Sequence, residues 1–129
     1  QCFLWALFDR QPLDRWSDGP VTLLGDACHP MPPFMAQGAC LALEDAWVLA
    51  DALTAQDDVV TALQTYQAAR TIRATKVVAL AQGNAWRFHL GKPLAWGAQA
   101  VLAVGAAALA RRLEWVYAYD ATQAIETQR

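Results

Sequence analysis

The 129 residues lack a surplus of charge of either sign: ten Lys plus Arg stand against twelve Asp plus Glu, a formal net charge of -2. Without a basic stripe to neutralise phosphates, nucleic acid is not an expected partner. Cysteine is scarce and odd in number. Cys2, Cys28 and Cys40 form no CxxC pair and have no histidine at a zinc-ligand spacing, so neither a disulfide framework nor any metal site is expected, and a reduced, cytoplasmic setting is. Gln1 opens the chain without a basic stretch, an apolar core and a small-residue cleavage site; no secretory signal is read there, and the beginning looks cut rather than natural. Internal repeats and low-complexity linkers are missing too. What is abundant is apolar: hydrophobic residues make up 56% of the chain. Counting the seven Gly in place of the three Tyr, as the usual figure of about 45–50% does, raises the share further. Disorder is excluded by that composition, one domain is the ceiling at this length, and the greasy surface exceeds what the chain hides easily alone.

The opening run Phe3-Leu4-Trp5-Ala6-Leu7-Phe8 has strand length and ends in Asp9-Arg10, which reads as a buried strand. Gln11 to Pro20 is a connection. Val21-Thr22-Leu23-Leu24, stopped by Gly25-Asp26, reads as a short strand buried on both faces of a largely parallel sheet. Pro30, Pro32 and Pro33 then fix φ and remove donors, so residues 28 to 36 form an irregular loop. From Gly38 the period changes: Leu41, Ala42, Ala46, Leu49, Ala50 and Leu53 predict an amphipathic helix to about Leu53. Asp57 or Asp58 caps a second helix with the stripe Leu63, Tyr66, Arg70, Arg73, Val77 and Leu80, ended by Gly91 and Pro93. A third, Ala-rich helix runs from Leu94 to Leu113. Residues 94 to 110 carry no charge, but Ala and Gly dominate them and Gln99 interrupts, so a packed helix is preferred to a membrane span.

The stretch from Gly25 to Cys40 is the one that carries chemistry. A carboxylate directly after a strand sits at the strand's carboxyl end, where open α/β sheets place ligands, and an ionised Asp26 accepts hydrogen bonds from ligand hydroxyls. Gly38 removes a side chain where a flat ligand needs backbone to approach. The helix that follows points its unpaired N–H groups and about half a positive charge at whatever the loop holds, which favours a ligand that becomes anionic.

These residues resemble the second flavin motif of the flavin-dependent aromatic hydroxylases, the single-component FAD monooxygenases typified by p-hydroxybenzoate and salicylate hydroxylases. The motif reads here Gly25-Asp26-Ala27-Cys28-His29, Pro33, Gln37-Gly38-Ala39-Cys40 and Glu44-Asp45-Ala46. Ala6 to Arg10 with Leu13 and Trp16, the helix Tyr66, Arg70, Arg73, and the close Trp115-Val116-Tyr117-Ala118-Tyr119-Asp120 are similar to further family segments, so the likeness covers essentially the whole chain. It implies an α/β fold: the C-terminal part of a Rossmann-like FAD/NAD(P)-binding fold, mostly helical with one or two strands. Residues 1–54 would complete the FAD-binding domain as strand, loop and helix, and 55–129 would form a C-terminal helical region. The implied reaction is hydroxylation of a small phenolic or carboxylated aromatic substrate with O2 and NADH or NADPH. The remaining N-terminal domains of the same enzyme are the implied partners, and the isolated piece is expected to be inactive. Carried over residue by residue, Asp26 accepts a hydrogen bond from a ribityl hydroxyl, with Gly25 and Gln37 beside it. Pro33 lies where oxygen reacts, and the N–H groups of Gly38, Ala39 and Cys40 face the flavin. Cys40 stands where the p-hydroxybenzoate enzymes have Asn, a change that tunes a backbone contact more than it abolishes it.

Blander readings stand beside these. Asp26 by itself fits a turn or helix-cap carboxylate. His29 is read as a catalytic proton group on the substrate side or, equally, as a hydrogen-bonded loop residue. Cys28 and Cys40 read as small buried hydrophobes, His89 as structural, and Trp115, Tyr117 and Tyr119 as packing aromatics rather than a substrate cage. Arg70 and Arg73 share an apolar stripe, so at least one is expected to pair with Glu44 or Asp45; the alternative is that both snorkel to water. The rival to an enzyme is a non-catalytic helical interaction module, membrane-associated or dimerising, built on residues 94–110, a homodimer being among the partners considered; the surplus apolar surface is what the missing domains of the enzyme would cover.

Overall fold

The computed structural model describes residues 2–3, 10–88, 91 and 94–125. Three helices carry most of them: α1 (Gly38–Ala55), α2 (Val59–Phe88) and α3 (Leu94–Tyr117). Ahead of these lie two short strands, β1 (Ser17–Asp18) and β2 (Val21–Thr22), and 3-10 turns occupy Gly25–Ala27, Pro33–Met35 and Ala121–Gln123. The described residues are thus mostly helical with two strands. Residues 4–9 of the expected opening strand, and His89, lie outside the described residues.

The strand expected over Val21–Leu24 takes a different form. It is a two-residue antiparallel arm, Ser17 opposite Thr22 and Asp18 opposite Val21, turned through Gly19 at φ +54 and Pro20. Val21 is 64% exposed. A strand buried on both faces needs neighbours along both edges; among the described residues β1 alone pairs with it. The arm is held from its other side, where Gln67 Oε1 of α2 accepts from Trp16 N at 2.8 Å and Ser17 N at 2.9 Å.

The two helix boundaries between α1 and α2 fall where turn chemistry puts them. Of the two candidate caps, Asp58 is the one used: its Oδ2 accepts from Thr61 N at 2.9 Å and Thr61 Oγ1 at 2.6 Å, satisfying a first-turn donor. α3 runs to Tyr117, past the expected end at Leu113, because no Gly or Pro intervenes before Asp120, which accepts from Thr122 N and opens the following 3-10 turn. No helix among the described residues is long and apolar enough to cross a membrane.

Two apolar clusters hold the elements. Trp16, Cys28, Val48, Ala52, Tyr66 and Ala74 belong to one, which joins the arm, the loop, α1 and α2. Leu41, Val77 and Val116 form the other, tying α1 and α2 to the end of α3. The buried stripe of α2 follows the expected positions, from Leu63 and Tyr66 through Arg70 and Arg73 to Val77. That of α1 does not: Leu41, Asp45, Val48 and Ala52 face inward, whereas Ala46, Ala50 and Leu53 are exposed. Charge decides this rotation, since the two arginines of α2 draw Glu44 and Asp45 toward them.

Candidate functional site

The turn Gly25–Ala27 lies flat on α1. Gly25 has φ +61, and a Cβ there would stand 3.1 Å from Ala42 Cβ, so only glycine fits both the left-handed backbone and the close approach. Its carbonyl accepts from Cys28 N and His29 N, each at 3.0 Å. Between them the Asp26 side chain points outward, exposed, with no hydrogen bond to the protein among the described residues. It nevertheless sits beside the start of α1: Oδ1 is 3.8 Å from where a Gly38 Cβ would be, and Met31 Cγ is 3.7 Å from the same point.

The proline loop delivers the chain to that helix. Pro32 is extended, Pro33 opens the second 3-10 turn, and Ala36 takes a left-handed φ of 52 that an L-residue adopts at some cost. Gln37 follows, buried, in helical conformation at the N-cap. It provides no side-chain cap, and the first turn of α1 holds no acidic residue. The leading N–H groups of Gly38, Ala39 and Cys40 are therefore available to an external acceptor, with the helix dipole behind them.

Behind this surface lies a buried ionic chain. Asp45 Oδ2 accepts from His29 Nε2 at 2.6 Å and from Gly25 N at 3.2 Å; Oδ1 accepts from Arg70 Nε at 2.7 Å. Arg70 Nη2 donates to Glu44 Oε2, and Arg73 grips both Glu44 oxygens, all at 2.7 Å. Arg73 continues to the carbonyls of Trp115 and Val116 at the end of α3 and stacks 3.6 Å from the Tyr119 ring centre. At least one arginine pairing is expected from the sequence, and both arginines are paired; of the three aromatics expected to pack, Tyr119 lies against Arg73, whereas Trp115 and Tyr117 are exposed.

Electrostatics follow from that geometry. Burial alone would raise the Asp45 carboxyl, but the hydrogen bonds from His29 and Arg70 outweigh it and hold Asp45 below its ordinary value. Burial likewise works against Arg70, and Asp45 and Glu44 more than compensate. An ionised Asp45 only accepts, so His29 Nε2 carries the proton it shares. The buried Nδ1 has no partner among the described residues. Burial, aided by the Asp45 charge, pushes the Cys28 thiol up to about 12.

Cys28, His29 and Asp45 offer one ligand atom each within 4.8 Å, a grouping that sequence spacing does not reveal. It does not fit a metal: both Asp45 oxygens are committed, a guanidinium stands against them, and the Cys28 thiol donates to the Gly25 carbonyl.

The site residues read from sequence therefore divide. Asp26, Pro33, Gly38, Ala39 and Cys40 lie along the surface loop and the α1 terminus, with Gly25 and Gln37 buried beneath. His29, read either as a substrate-side proton group or as a hydrogen-bonded loop residue, faces inward, fully buried and bonded to Asp45. Cys28 is buried as expected; Cys40 is exposed, because position 40 opens the outer side of α1. What sequence reading missed is Asp45 as a hub that joins loop, α1 and α2. The adjacent Glu44-Asp45 pair was its signal.

Residues 6–81 match the family described as an FAD binding domain. The 3-amino-4-hydroxybenzoate 2-monooxygenase of Streptomyces platensis is 42% identical over 125 residues, which is 94% of this chain and 31% of the relative. The 3-hydroxybenzoate 6-hydroxylase 1 of Aquipseudomonas alcaligenes is 55% identical over 73 residues, 57% of this chain and 18% of that protein. The 6-hydroxynicotinate 3-monooxygenase of Bordetella bronchiseptica is 45% identical over 84 residues, 64% and 22% of the two chains. The chain thus spans less than a third of the length of each of these relatives.

Proposed function

Because this chain belongs to the FAD binding domain family, we propose that it is the C-terminal part of an FAD-dependent monooxygenase that hydroxylates a small aromatic ring with O2 and NADH or NADPH. In this reading residues 1–54 complete a Rossmann-like FAD-binding domain and 55–129 form its helical close. The observation that carries the proposal is the uncapped start of α1 beside an exposed, unbonded Asp26, with no side chain at Gly38 between Asp26 and Met31. That arrangement fits a ligand with hydroxyls to donate and an electron-rich edge to accept. FAD is such a ligand, and when bound it supplies the redox chemistry that activates oxygen.

The chain's own residues then have separable tasks. Asp26 would accept from a ribityl hydroxyl, Gly25 and Gln37 would shape the floor, and the N–H groups of Gly38, Ala39 and Cys40 would hold the flavin ring. Negative charge on a group held there would be stabilised by the helix terminus by roughly 0.3–2 kcal/mol. Pro33, exposed and rigid, would wall the ligand's reacting face and has no N–H to donate there. The relatives are named for hydroxybenzoates, an aminohydroxybenzoate and a hydroxynicotinate, so the substrate proposed is a hydroxylated aromatic carboxylate. The exposed Leu43, Trp47 and Leu53 of α1 are surface that the rest of such an enzyme would cover.

The test is to purify the full-length protein, measure bound FAD, and follow NAD(P)H oxidation with a panel of hydroxybenzoates and hydroxynicotinates. A yellow protein whose NAD(P)H consumption rises with one of them, with a hydroxylated product, is expected. A protein that neither retains nor rebinds FAD overturns the reading.

A further inference from the structure

Resting on the FAD reading above, we propose that Asp45 is the positioning residue of the flavin-facing turn: one carboxylate, backed by Arg70, that grips both ends of residues 25–29 and so aims Asp26 at the start of α1. The same oxygen, Oδ2, accepts from Gly25 N at 3.2 Å and from His29 Nε2 at 2.6 Å, while Oδ1 is taken by Arg70 Nε at 2.7 Å. The turn is closed from within by the Cys28 and His29 N–H groups on the Gly25 carbonyl.

Asp26 has no hydrogen bond of its own to the protein among the described residues, so its side chain does not set its own direction. The backbone of the turn does. That backbone rests on α1 through the Gly25 contact with Ala42 and is tied to α1 by Asp45. Asp45 lies seven residues along the helix that begins at Gly38, about 10 Å at 1.5 Å per residue. One rigid element therefore carries both the clamp and the N–H groups that face the ligand, and the clamp fixes Asp26 relative to those groups.

The anchorage continues behind it. Arg70 also holds Glu44, Glu44 is gripped by Arg73, and Arg73 reaches the carbonyls of Trp115 and Val116. Asp45 is thus fixed from the side away from the turn, and the turn is the part that moves if the carboxylate changes.

The experiment is a double-mutant cycle in the full-length protein. Apoprotein of the parent, Asp26→Ala, Asp45→Asn and the double variant is titrated with FAD, and the visible circular dichroism of the bound flavin is recorded. Asp26→Ala should weaken FAD by about tenfold to a hundredfold, the worth of a charge-assisted hydrogen bond. Asp45→Asn should weaken it by about tenfold and alter the flavin dichroism. The double variant should be no more than about twofold weaker than the worse single, since an unaimed Asp26 has little left to lose. Multiplying effects, with Asp26→Ala clearly weakened, overturn the clamp and leave the FAD reading intact. FAD affinity unchanged in Asp26→Ala overturns the role read for Asp26, and the clamp falls with it. Where Asp45→Asn does not fold, His29→Ala takes its place in the same cycle, because it frees one end of the turn while Asp45 keeps Arg70; the same multiplying or non-multiplying outcomes decide.

Discussion

On α1 the inner face carries Glu44 and Asp45 between Leu41 and Val48, and the outer face carries Leu43, Trp47 and Leu53. The charged face is the buried one, and Leu43 is 73% exposed. An apolar stripe ordinarily decides which side of a helix goes inside. Here partners decide it: every inward carboxylate oxygen meets a donor at 2.6–2.7 Å from His29, Arg70 or Arg73, whereas Leu43, Trp47 and Leu53 on the outer face are exposed. Such a network is weak evidence of high stability, because desolvating its charges costs about what their attraction returns. It is strong evidence of fragility to the loss of one member.

Removing that one member is therefore the largest effect expected. Arg70→Ala leaves Asp45 and Glu44 short of a cation in the interior, Arg70 and Asp45 being fully buried, and should cost about 3–5 kcal/mol of folding stability in urea unfolding of the full-length protein. A loss below about 1 kcal/mol would place the network in effective contact with solvent, and the inner face would then be no different from a surface pair.

Acid should act on the same face. The Asp45 pKa is lower in the fold than in the unfolded chain, so its stabilisation is present above the ordinary carboxylate range and is lost as pH falls through the folded value. Urea midpoints measured from pH 7 down to pH 3 should drop more steeply for the parent than for Asp45→Asn. Parallel curves would mean that Asp45 contributes nothing to the acid limb.

The inner face was partly legible before the structure. Arg70 and Arg73 fall on an apolar stripe, and a guanidinium on such a stripe needs a carboxylate, which Glu44 and Asp45 provide within reach. Hidden from periodicity was the rotation of α1, because Ala counts as apolar yet gains little by burial: Ala46 and Ala50 lie outside although they helped define the expected stripe. The loop was legible as irregular from Pro30, Pro32 and Pro33. The inward turn of His29 was not, since it depends on a tertiary partner sixteen residues away. The parallel strand expected at Val21–Leu24 failed for a related reason: a β-branched run specifies that a strand forms, and its neighbours decide which sheet it joins.

Gly25 is where loop and inner face touch, and its substitution sits in the middle of the range. Gly25→Ala meets both a φ of +61 and an Ala42 Cβ at 3.1 Å, so it should cost about 1–3 kcal/mol in thermal or urea unfolding. A neutral result would show that the turn lifts off α1 without penalty.

The smallest effect belongs to the outer face. Leu43→Gln and Trp47→Gln remove apolar area that is already in water in the 129-residue chain, where the side chains are 73% and 55% exposed. Neither substitution breaks a cap, opens a cavity or strands a charge, so each should change the urea midpoint of this chain by no more than the equivalent of about 0.5 kcal/mol. In the full-length protein the same two substitutions distinguish a covered face from a bare one. If other parts of the enzyme bury these side chains, placing an amide among apolar neighbours should cost more than about 1 kcal/mol each. Equal and negligible effects in both proteins would mean that the outer face of α1 stays solvent-exposed, and that its leucines and tryptophan are ordinary surface rather than the counterpart of the buried charges behind them.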